Sequence, residues 1–86
     1  MKSEYTRAEV LAAVAGAYRK EQAEYHRLTE KARAASERGE AALYVLCDEE
    51  AEKQRIAVDA VRRVADALYI GEVELNVAAN SERPSS

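Results

Sequence analysis

Leu11, Val14, Tyr18, Tyr25, Leu28, Ala32 and Ala35 follow one another on steps of three and four, or of seven across a gap at Glu21, the one charged residue on the stripe. Such spacing keeps one face of a helix apolar over more than three heptads. Thr6 and Glu9 precede the stripe as a T-x-x-E capping box, so a first helix is predicted over residues 6–37, behind a frayed lead at residues 1–5. Residues 36–40 read Ser-Glu-Arg-Gly-Glu. Gly39 suits the left-handed backbone position beyond a helix C-terminus, which sets the turn at residues 38–40.

The pattern resumes at Leu43, Cys47, Glu50, Gln54, Ala57, Val61, Val64 and Leu68, flanked by Leu46, Ile56 and Ala60. A second helix is predicted over residues 41–70, and so short a connection makes the two helices antiparallel neighbours. Tyr25 then falls opposite Lys53, Tyr18 opposite Ala60 and Leu11 opposite Ala67. Both stripes turn polar midway, at Glu21 and Gln22 on one side and at residues 50–54 on the other. A competing pattern starts the second helix at Asp48, an N-cap with an acidic first turn, and makes residues 43–47 a strand. The heptad running unbroken through Leu43 and Cys47 favours the longer helix.

Beyond Gly71 the period changes. Glu72, Val73, Glu74, Leu75, Asn76 and Val77 alternate polar with apolar, a strand signal. A single strand cannot satisfy its own backbone, so such a segment needs a mate from another chain or from residues 43–47. The alternation predicts an extended or β segment at residues 72–77, closing a single domain over residues 6–79, and residues 80–86 are expected to be a disordered tail. The fold class expected is therefore all-α: an antiparallel two-helix hairpin with a short C-terminal extended or β segment.

Composition adds a need for company. The chain of 86 residues contains 18 Ala but only 16 Leu, Ile and Val together, with no Phe or Trp. A buried Ala removes little apolar area from water at roughly 25 cal/mol per Å², and a chain this short buries a small fraction of its surface. Self-association into a dimeric four-helix bundle is the simplest remedy. The seam expected to carry it is Leu11, Val14, Tyr18, Tyr25 and Leu28 with Ala57, Val61, Val64 and Leu68. Ala12, Ala13, Gly16 and Ala17 form a small-residue patch where another backbone could approach. Charge is blocked along the chain: residues 40–52 carry −5 and residues 53–63 carry +3, within a net −3. Antiparallel helices or copies can align such blocks with opposite signs facing.

Little in the sequence supports chemistry. The one Cys, Cys47, excludes an intrachain disulfide and fits a reducing compartment. The apolar run at residues 10–17 is too well continued by helical periodicity, and too close to Glu4 and Glu9, to be a signal core. No stretch nears the roughly 18 apolar residues of a membrane span, so a cytoplasmic location is expected, with no membrane partner. The di-iron pattern Glu-x-x-His fails because Ala23 stands three before the only histidine, His26. A lesser metal site from His26, Glu30 and Glu49 or Glu52 is disfavoured, and Cys47, followed by three carboxylates, is a poor nucleophile. No catalytic or metal-ligating residue and no cofactor is assigned, and no enzymatic activity is expected.

Two binding functions remain. Lys20, Arg27, Lys31 and Arg38 recur on one face of the first helix, as a phosphate-tracking stripe would, although Glu24 interrupts them and the chain is net acidic. The favoured expectation is a protein–protein interaction module, a small adaptor, regulator or inhibitor of a larger protein. Interfaces favour tyrosine, and Tyr44 and Tyr69 lie off the main stripe. With Glu49, Glu52, Val73, Leu75 and Val77 they are the candidate partner contacts. A nucleic-acid-associated regulator and a metal-carboxylate bundle are the alternatives.

Overall fold

The computed structural model describes residues 4–81 as three helices, α1 (Arg7–Glu37), α2 (Ala41–Ala67) and α3 (Glu72–Ser81), with no strand among the described residues. Parts of the expected lead and tail, residues 1–3 and 82–86, lie outside them. Residues 4–6 precede α1, and Asn80 and Ser81 complete α3 instead of opening a tail.

α1 begins where its capping box directs. The Thr6 hydroxyl accepts from the Glu9 N–H and the Glu9 carboxylate from the Thr6 N–H, each at 3.1 Å, so two otherwise orphaned donors are satisfied. Its end is a Schellman turn. Gly39, at φ 72, lets its own N–H reach the Ser36 carbonyl at 3.1 Å and the Glu40 N–H reach the Ala35 carbonyl at 2.9 Å. The chain reverses there and α2 packs along α1, with residues 43–47 helical and not a strand.

α2 stops at Ala67, three residues before the expected end. The same turn recurs, with the Tyr69 N–H on the Asp66 carbonyl at 3.0 Å and the Ile70 N–H on the Ala65 carbonyl at 2.8 Å. Here the left-handed residue is Tyr69, at φ 58, although Gly71 stands two residues later. Burial explains the placement: the residue after the left-handed position is Ile70, which this turn drives into the core. Gly71 instead starts α3, its carbonyl accepting from the Leu75 N–H at 2.9 Å.

α3 corrects the expectation of an extended segment at residues 72–77. The period-two alternation of Val73, Leu75 and Val77 competes with a helical set, Leu75, Ala78 and Ala79, and no strand mate exists within the described residues once residues 43–47 are helical. A helix satisfies its own backbone, places Glu72 and Glu74 in the favourable first turn, and inserts Leu75 and Ala79 into the core. α3 lies mainly against α1, with a smaller contact to α2. It also holds the N-terminus of α1, where Arg7 bridges the Glu74 carboxylate at 2.9 Å and the Tyr69 carbonyl at 3.3 Å.

The core sits at this three-helix end. Ala15, Tyr18, Val58, Ala65, Ile70, Leu75 and Ala79 form one buried cluster. Towards the turn only two helices remain, joined by Leu28, Ala32, Ala35, Cys47 and Ala51. On α1 the predicted stripe is the buried one. On α2 it is displaced by one residue beyond Cys47: Ala51, Val58 and Ala65 are buried, with Gln54 and Val61 half-buried between them, while Glu50, Val64 and Leu68 are exposed. Apolar residues occupy both phases, and small Ala51 and Ala65 allow closer helix contact than Val64 or Leu68 would. The apolar surface of α2 is therefore wider than α1 and α3 cover.

Candidate protein-interaction surface

Polar joints between the helices determine which side chains are left over. Tyr18 is only 1% exposed, yet its hydroxyl accepts from Arg62 at 2.9 and 3.3 Å and from Gln22 at 3.0 Å. The Arg62 guanidinium also lies 5.5 Å from the Tyr18 ring centroid. This hydrogen bond holds Arg62 more basic than an ordinary arginine. Midway along the hairpin Gln54 donates to the Glu21 carboxylate at 2.6 Å and to the Glu21 carbonyl at 2.9 Å. The Gln54–Glu21 joint lies where both stripes turn polar, and with the Arg62–Tyr18 joint it fixes how α2 faces α1.

The acidic run at residues 48–52 does not form a site. Glu50, expected on the seam, is exposed and meets Lys53 at 3.5 Å, and Glu52 bonds Arg55 at 2.6 Å. Rotation of the core phase moves Glu50 out of the seam, so no buried charge needs a partner there. His26 packs edge-on to Tyr25 with ring centroids 6.0 Å apart, and Glu30 bonds Arg33 at 2.7 Å instead of His26. Cys47 is buried as a free thiol. Among the described residues no group of three or more His, Cys, Asp or Glu is arranged to hold a metal ion, and no helix is long and apolar enough to cross a membrane.

The basic face of α1 is exposed at Lys20, Arg27, Lys31 and Arg38. Half of it is already engaged: Arg27 bonds Glu24 at 3.0 Å and Arg38 bonds Glu40 at 2.8 Å. The Arg27 bond holds the Glu24 carboxyl below its ordinary range.

The expected self-association seam divides. Tyr18 and Leu28 are buried within the chain, and Leu11, Val14, Tyr25, Ala57 and Val61 are half-buried, most of them against the core cluster, whereas Val64 and Leu68 remain exposed. The small-residue patch of α1 divides in the same way: Ala12, Ala13 and Ala17 are exposed and Gly16 half-buried.

The partner candidates divide as well. Leu75, 2% exposed, belongs to the core. Tyr69 is 90% exposed, and Val73 and Val77 are 78% and 61% exposed one helical turn apart on the outer side of α3. Tyr44, Glu49 and Glu52 are exposed along α2. The sequence pattern assigned Leu46 and Ile56 to the flank of the seam, but they are 60% and 65% exposed, and Val45, which it did not assign, is exposed on the same helix. The signal for them was available: with Leu43, Cys47 and Ala51 on one stripe, these three residues lie on the helix's other faces. No family model, curated protein or solved structure matches this chain.

Proposed function

We propose that the chain is a non-enzymatic protein–protein interaction module, a small adaptor, regulator or inhibitor that self-associates and occupies a surface on a larger protein. The observation that carries this reading is the contrast between an alanine-rich core and the larger apolar side chains left outside it: Leu46, Ile56, Val64, Leu68, Val73 and Val77. Scattered exposed apolar residues are ordinary, but here Leu46, Val64 and Leu68 share one flank of α2, Ile56 stands on its outer face, and Val73 and Val77 share the outside of α3. The α3 face, Val73 and Val77 beside Tyr69, is the one assigned to the larger partner, since Leu75 and Ala79 anchor the opposite side of the same short helix.

The test compares the intact protein with a Val73→Glu/Val77→Glu variant as baits in extract of the native host. A protein retained by the first and lost by the second supports the module and its α3 face. Identical retained proteins would contradict that face. A nucleic-acid-associated regulator is the second reading, supported by Lys20 and Lys31, which are exposed and make no ion pair among the described residues. Retention of the protein on DNA or RNA that collapses between low and moderate salt would favour it over the module.

A further inference from the structure

The outer face of α2 carries Glu49, Ile56 and Arg63 at intervals of seven residues. Seven residues fall within about 20° of two whole helical turns, so the three form a line, with each charge about 10 Å from Ile56 along the axis. All three are exposed, and among the described residues neither Glu49 nor Arg63 has an ion-pair partner, although the neighbouring Lys53, Arg55 and Arg62 each have one. Ala60, one turn beyond Ile56, is exposed and small, leaving room for a second helix to approach.

We propose that this face pairs with the same face of a second copy, antiparallel, about a two-fold axis at Ile56. The proposal rests on the self-association proposed above and specifies where it occurs. The two-fold stacks Ile56 on Ile56 and sets Glu49 of each copy opposite Arg63 of the other, twice per dimer. Charge complementarity selects this arrangement: a parallel pairing would oppose Glu49 to Glu49 and Arg63 to Arg63. Nearer the axis, Lys53 and Asp59, three residues before and after Ile56, also have opposite signs, and Glu52, four residues before it, comes opposite the small, uncharged Ala60, four after it. The occupant is another molecule of this chain, because a face antisymmetric in charge about its own midpoint is complementary to itself. The remaining exposed residues of α3 stay available for a different protein.

Charge reversal tests the register without touching the core. Sedimentation equilibrium should show the intact protein as a dimer, and Glu49→Arg or Arg63→Glu alone should each raise its dissociation constant by about tenfold, since each makes two repulsive contacts per dimer. The two single variants mixed together should recover dimer as a mixed species, because every opposed pair is then of opposite sign; native mass spectrometry identifies it. Ile56→Asp should abolish pairing while circular dichroism shows the helices retained. A dimer indifferent to all these changes would overturn the proposed face and leave self-association standing, whereas a monomeric intact protein would overturn both.

Discussion

Tyr69 holds a backbone conformation that a non-glycine residue adopts at a cost of about 1–2 kcal/mol, and it does so with its ring in solvent. The compensation is Ile70, which the turn buries. Tyr69→Gly should therefore stabilise the fold by about 1 kcal/mol in chemical denaturation, after allowance for the extra chain entropy of glycine. If Tyr69 contacts a partner, the same variant should bind it less well despite being more stable, which separates the two roles. Tyr18 should respond in the opposite direction. Tyr18→Phe keeps the buried ring but removes the acceptor shared by Arg62 and Gln22, and should cost about 1 kcal/mol in the same measurement. The sequence already contained the means to expect this contact, since the hairpin register placed Tyr18 opposite Ala60, within a side-chain's reach of Arg62. It did not contain the left-handed Tyr69, because Gly71 was the more obvious place to end the helix and only the burial of Ile70 decides against it.

At the scale of elements, α1, its capping box and the turn at Gly39 were legible because local hydrogen bonding and long-range periodicity agreed. α3 was not, because its six opening residues support two periods and the choice depends on what they pack against. Leu75 is the residue that settles it, being the large side chain that α3 inserts into the core. Leu75→Ala should destabilise the protein by about 2–4 kcal/mol. Val73→Ala, at an exposed position on the same helix, should stay within about 0.5 kcal/mol. Equal effects at the two positions would indicate that residues 72–77 do not bury one side as a helix. The phase of α2 was also beyond the pattern, since Ala57 and Val64 fit the stripe as well as Val58 and Ala65 do. Packing of Val58 and Ala65 into the cluster that holds Tyr18 selects the observed one.

The whole molecule is an elongated three-helix body, 52 × 30 × 27 Å, whose core is concentrated at one end. Its surface is held by short-range ion pairs such as Glu24 with Arg27 and Glu30 with Arg33, which keep both carboxyls below their ordinary range. A carboxyl so shifted favours the folded state above its unfolded pKa and loses that contribution as pH falls through its folded pKa. Both pairs are exposed, so their effect should be small and should weaken further with salt. The larger consequence comes from the apolar surface that the fold leaves outside α2 and α3, which is why an interaction module is the function proposed. The shortage of large apolar residues already suggested the proposed binding role in the sequence, but the faces proposed for it were not legible there, because they depend on the α2 phase and on α3. The most direct test is the solution mass of the intact protein by light scattering at micromolar concentration. Twice the 9.5 kDa chain mass is the expected result, and a stable species at the mass of one chain would contradict self-association.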